Sequence, residues 1–217
     1  MTPDDKPMIS HWWWRPGWKA GRSFYTWHVT FHAGSPMAEL ADRYRPTLQR
    51  FEGLDVLRTD ELHLTVQGLG FVGEITEYDV TAIVESSQVE LAELSPRIVT
   101  AGPAHVDSET VQVALHPADQ LAEIRTALRR GIATVWGSDN VPEHDQGFRP
   151  HITLAYSNTV NRRAEIVAAV EEVGSPTVTL PIERVSLIRL HRDNSRYEWD
   201  DVAVARLTHP GNTEGGR

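Results

Sequence analysis

Three tetrapeptides in this chain repeat one order of residue types: HVTF at positions 28–31, HLTV at 63–66 and HITL at 151–154. Each runs histidine, apolar, threonine, apolar. With 10 His, 18 Thr and 40% hydrophobic residues in 217, composition alone yields about 0.1 such matches. Strand sequence is rich in Val, Ile and Thr, which accounts for part of the excess. In an extended segment side chains alternate, so a histidine and the threonine two residues on share one face. An imidazole, with an ordinary pKa of about 6.5, can be neutral in one copy and protonated in another near pH 7. The neutral ring takes a proton from water or a ribose hydroxyl, and the charged ring gives one to a leaving oxygen. Threonine hydroxyls can hydrogen-bond phosphoryl oxygens as charge builds on them. Two facing copies therefore suit a phosphodiester without a metal.

The surrounding elements decide which copies face each other. Residues 23–33 read as a strand, 36–51 as a helix led by Pro36 and kinked or broken at Pro46, and 54–58 as a short strand. Residues 61–67 read as a strand stopped by Gly68 and Gly70, and 76–92 as a helix. Residues 94–101 and 110–116 are extended, with a turn-rich GPAHVDSE between them. The clearest helix is 117–136, with Leu121, Ile124, Leu128, Ile132 and Val135 on one face. A strand at 149–156, a helix at 161–173 capped by Asn161 and ended by Gly174, and a final hairpin at 177–191 and 197–207 follow.

The order strand, helix, His strand, helix, strand occurs twice. His63 and His151 hold the same place in the two series, 88 residues apart. The expected fold is α+β: two pseudo-symmetric lobes, each an antiparallel sheet with helices on its outer face, the His63 and His151 strands facing a central cleft. By the period of two, Leu62, Leu64 and Val66 oppose His63, Thr65 and Gln67. Likewise Ile152, Leu154 and Tyr156 oppose His151, Thr153 and Ala155, which puts Tyr156 in the core.

HLTVQGLG and PHITLAY resemble the two signature motifs of the two-histidine (2H) phosphoesterase superfamily, in its 2′-5′ RNA ligase-like and cyclic phosphodiesterase branch. That pattern is His-x-Thr/Ser-x with apolar x, twice, about a lobe apart. The Leu-Gly after the first copy and Pro150 before the second also look like the family. The resemblance spans about residues 23–207 and implies a single bilobal domain of the duplicated α+β fold. It implies His63 and His151 as the acid/base pair and Thr65 and Thr153 as the phosphate holders. Which histidine is base and which acid stays open. The implied activity is metal-independent cleavage of a 2′,3′-cyclic phosphate, or a related phosphodiester, of an RNA end or small nucleotide. No cofactor is implied, and reversible 2′-5′ joining uses the same groups. The alternative is a nucleotide- or RNA-end-binding module without turnover, which would not need both imidazoles.

Other residues carry weaker signals. His28 is either a substrate contact or a strand histidine with a local hydrogen bond. Arg149 is a candidate phosphate contact and Tyr197 a candidate to stack on or hydrogen-bond substrate. HDQGFRPH, with His144 and Asp145, lacks recognised zinc spacing, so no metal site is expected. Residues 1–22 form a Trp-rich arm in which Trp12, Trp13, Trp14 and Trp18 alternate with Arg15, Lys19 and Arg22. Such an arm either packs its rings on the domain or stacks bases. Residues 208–217 read as a flexible tail.

The net charge of -9 argues against a surface gripping extended duplex nucleic acid and points to a small ligand. The absence of cysteine excludes disulfides and thiolate metal sites. No apolar run approaches the roughly 20 residues of a membrane helix, and the start lacks an apolar signal core. A cytoplasmic, membrane-free protein is expected; its oligomeric state is not legible.

Overall fold

A computed structural model describes residues 6–144 and 146–208. Asp145 and the expected tail from position 209 lie outside the described residues. Among these residues the chain runs β1 (Phe24–Thr30), α1 (Pro36–Leu48), β2 (Leu54–Val56), β3 (His63–Phe71), α2 (Glu77–Ala92), β4 (Arg97–Val106) and β5 (Thr110–His116). It continues through α3 (Ala118–Trp136), β6 (His151–Ser157), α4 (Arg163–Glu172), β7 (Val178–Ile182), β8 (Arg184–His191) and β9 (Glu198–Arg206). Two antiparallel sheets form, ordered β3-β1-β8-β9 and β2-β6-β5-β4-β7. The α+β architecture with paired lobes is as the element order implies.

Local chemistry explains most boundaries. Ser35 Oγ accepts from Ala38 N at 3.3 Å and Pro36 opens α1, satisfying free N–H groups of the first turn. Pro46 sits in the last turn of α1, which ends two residues later. The apolar stripe of α3, Leu121, Ile124, Leu128 and Ile132, is buried as its spacing predicts.

Four expectations change. The glycines do not stop β3: Gly68 and Gly70 pair with Thr26 and Tyr25 in the ladder. At Gly68 a Cβ would fall 2.4 Å from Glu143 Oε1, so glycine admits a close neighbour there. β4 runs through the GPAH sequence to Val106, and the turn is confined to residues 107–109. Asn161 does not cap α4. Its Nδ2 donates to Gly53 O and Ser157 Oγ, both at 2.9 Å. The segment 177–191 is two strands, β7 and β8, in different sheets.

Lobe membership also differs from sequence order. α1 and α4 pack on the second sheet, against β7, β6 and β4, while α2 and α3 pack together on the first, against β9 and β3. Each series therefore lends elements to the other lobe. In the first, β1, β3 and α2 stay while α1 and β4 cross over. In the second, β5, β6 and α4 stay while α3 and β8 cross over. The pseudo-twofold repeat survives, and the two lobes share one continuous core.

Candidate active site

β3 and β6 hold equivalent places and contact each other across the lobes. Each delivers its histidine at its first residue. In both cases the backbone just upstream fixes the ring. His63 Nδ1–H donates to Glu61 O at 2.7 Å, and His151 Nδ1–H to Arg149 O at 2.8 Å. A carbonyl only accepts, so the proton lies on Nδ1 and each Nε2 is left for chemistry. The Glu61 carbonyl is itself anchored. The Glu61 carboxylate accepts from Arg58 N at 2.6 Å and pairs with Arg196 at 2.7 Å.

His63, Thr65, His151 and Thr153 line one cavity of about 420 Å³. The two histidines differ in environment. His151 is exposed, whereas His63 is only 8% exposed. Burial, reinforced by the nearby His151, pushes the His63 imidazole down to about 4 against the pull of the Glu61 carbonyl. His63 is neutral at pH 7.

Bulges decide which other side chains reach the cavity. In β3 one bulge lies between the pairs Trp27↔Gln67 and His28↔Thr65. It reverses the alternation, so Gln67 turns away from Thr65 toward α3, where its Oε1 accepts from Arg125 at 3.0 Å and Arg129 at 3.2 Å. In β6 a bulge lies between Val111↔Ala155 and Gln112↔Thr153. It brings Tyr156 onto the cavity face, where its ring stacks on that of His11. The expected core position of Tyr156 is thus corrected: it is buried, but as a wall of the site.

His28 is 1% exposed and belongs to the cavity floor. Its ring stacks on His63, with centroids 4.6 Å apart and planes 2° from parallel, and its Nε2 lies 3.0 Å from Thr65 Oγ1. Tyr197 lines the cavity too, and its hydroxyl bonds His11 Nε2 at 2.9 Å. The Arg149 side chain is exposed and borders an adjoining groove shared with Thr65 and His151.

The amino-terminal arm contributes what composition alone did not reveal. Met8 pairs with Asn161, and His11 N donates to Ser157 O at 2.7 Å, which docks the arm on the second lobe. Arg192, on the β8–β9 side, donates to His11 O at 3.0 Å and lies over the rings of Trp12, Trp18 and Tyr197. The arm therefore spans both lobes at one end of the cleft. His11 and Arg15 line the same cavity as the quartet. His11 stacks on Tyr156 at 4.2 Å, donates from Nδ1 to Glu109 at 2.9 Å, and is held down to about 4 by burial and then by Arg15. Trp12 and Trp18 pack inward, while Trp13 and Trp14 remain 46% and 51% exposed. Met8 is fully buried, so Met8→Ala is expected to cost about 2–5 kcal/mol by urea unfolding, although Met8 precedes the first strand.

The family model of the 2′-5′ RNA ligase superfamily matches residues 34–194. The chain belongs to the 2′-5′ RNA ligase superfamily. Its fold is shared by solved structures: the TT0787 protein of Thermus thermophilus has a TM-score of 0.64 at 19% identity, over 86% of this chain and 98% of that one. A structure described as a phosphoesterase has a TM-score of 0.61 at 18% identity, over 86% of this chain and 99% of the other. E. coli LigT complexed with 3′-AMP has a TM-score of 0.61 at 18% identity, over 87% of this chain and 99% of LigT. At these identities the likeness is one of fold. Curated proteins give no match. The superfamily match covers residues 34–194, so His11, Arg15 and His28 lie outside it. No helix among the described residues is long and apolar enough to cross a membrane.

Proposed function

We propose that this superfamily member is a metal-independent phosphodiesterase that opens a 2′,3′-cyclic phosphate, or a related phosphodiester, of an RNA end or small nucleotide. The observation that carries the reading is the pair of Nδ1-anchored imidazoles, each with Nε2 left for chemistry, beside two threonine hydroxyls in one cavity. Neutral His63 takes a proton from the attacking water, and His151 gives a proton to the leaving ribose oxygen. Thr65 and Thr153 hydrogen-bond the phosphoryl oxygens. Run backwards with a ribose hydroxyl in place of water, the same groups join ends in a 2′-5′ linkage. Solved structures of E. coli LigT hold 3′-AMP, ATP and NADP+, which supports a nucleotide-sized ligand for this cavity.

The test is incubation of the protein with the four nucleoside 2′,3′-cyclic phosphates in the presence of a chelator. Conversion to a single monoester is expected. Loss of turnover on chelation would overturn the metal-independent reading. Binding of these ligands without turnover would indicate a nucleotide-binding module.

A further inference from the structure

The third copy of the pattern, HVTF, is not used by the acid/base pair, yet its histidine lies inside the site. The bulge in β3 sets His28 directly opposite Thr65, 3.0 Å from its hydroxyl oxygen. His28 Nδ1 is buried and has no hydrogen-bond partner among the described residues. Two arrangements satisfy that geometry. With the proton on Nδ1, a buried N–H is left unpaired and Nε2 accepts the only proton of Thr65. The threonine then offers the cavity lone pairs alone, which repel a phosphoryl oxygen. With the proton on Nε2, only an acceptor is left unpaired, and the Thr65 hydrogen is free. Buried unpaired N–H groups are the rarer defect.

The stack on His63 favours a neutral ring as well. Two parallel imidazoles 4.6 Å apart repel when both are charged, and burial lowers the proton affinity of both. Trp199 closes the edge of both rings, at 6.2 and 5.5 Å. The other lobe differs: Gln112, opposite Thr153, is engaged instead by Thr110 at 2.9 Å and His105 at 3.1 Å.

We propose that His28 is a positioning residue: its Nε2–H holds Thr65 Oγ1 from behind, leaving the threonine proton for a phosphoryl oxygen in the cavity. The assignment rests on the phosphoester reading of the site. It separates from that reading because the tautomer can be measured without turnover.

Long-range 1H–15N correlation of the histidine rings at pH 7 is expected to show His28 protonated on Nε2. Protonation on Nδ1 would overturn the proposal. In kinetics on a nucleoside 2′,3′-cyclic phosphate, His28→Phe keeps a stacking ring but loses the donor, and kcat is expected to fall about tenfold with KM little changed. His28→Gln restores an N–H near the Nε2 position and is expected to recover most of that loss. In a Thr65→Val background, His28→Phe should cost nothing further, since its partner is gone. Independent, multiplying losses, or a Gln variant as impaired as the Phe variant, would mean that His28 only packs. If the wild-type protein turns over no cyclic phosphate, the functional reading falls, while the ring spectrum still decides the tautomer.

Discussion

Replacing either His63 or His151 with alanine is expected to lower kcat/KM for a 2′,3′-cyclic phosphate by about 10²–10⁴-fold, the usual worth of a positioned proton donor or acceptor. Both variants should remain folded. His151 is exposed, and the His63 ring leaves a space bounded by His28, Tyr197 and Trp199. The two roles can be told apart by the leaving group. A nitrophenyl phosphodiester departs without protonation, so it makes the acid dispensable but not the base. His151→Ala is therefore expected to cleave it at close to the wild-type rate, and His63→Ala is not. Rescue of His63→Ala instead would reverse the assignment, which rests on the burial of His63 against the exposure of His151.

The second large effect is on stability. His11 and His63 are held at about 4, and His28 well below its ordinary value, in each case chiefly by burial. All three are neutral in the fold and free to protonate near pH 6.5 when unfolded. Below about pH 6.5 the unfolded chain binds more protons, so stability falls with pH by about 1.4 kcal/mol per unit for each ring. The loss continues until the folded rings titrate, near 4 for His11 and His63. Those two alone account for about 3 kcal/mol each, a large share of the 5–15 kcal/mol typical of a domain. The midpoint of urea unfolding is thus expected to drop steeply between pH 6.5 and 4, and His11→Gln should flatten that slope by about one proton. A midpoint that does not change over this interval would contradict the buried, neutral state of these rings.

The quartet is legible in the sequence because its signal is local. Two HxTx segments in equivalent series, each followed by the same pattern of elements, place His63, Thr65, His151 and Thr153 without tertiary knowledge. Alternation along the strand holds up to the bulges and fails after them, which misplaces Gln67 and Tyr156. A bulge is one extra residue in a ladder, set by what the partner strand accepts, and leaves no mark on a pattern read along one strand. The crossing of α1, β4, α3 and β8 between lobes is hidden for a related reason. Element order is written in the chain, whereas the sheet that receives an element is decided by packing.

The arm is legible only as an unusual composition. HWWWRPGW shows rings and charges, but its partners Glu109, Asp55, Arg192 and Tyr197 lie far along the chain. No spacing rule connects them. His28 can be recognised as a third copy, yet its role depends on the register that sets it against Thr65.

Two imidazoles that act as a unit on one phosphodiester must show strongly non-additive losses when they are removed. The most direct measurement is kcat/KM of the His63→Ala, His151→Ala double variant on a nucleoside 2′,3′-cyclic phosphate, beside the two single variants and in chelator. The double variant is expected to fall within about tenfold of the weaker single variant. Losses that multiply to the product of the two singles, or a double variant as active as the wild type, would contradict a two-histidine mechanism.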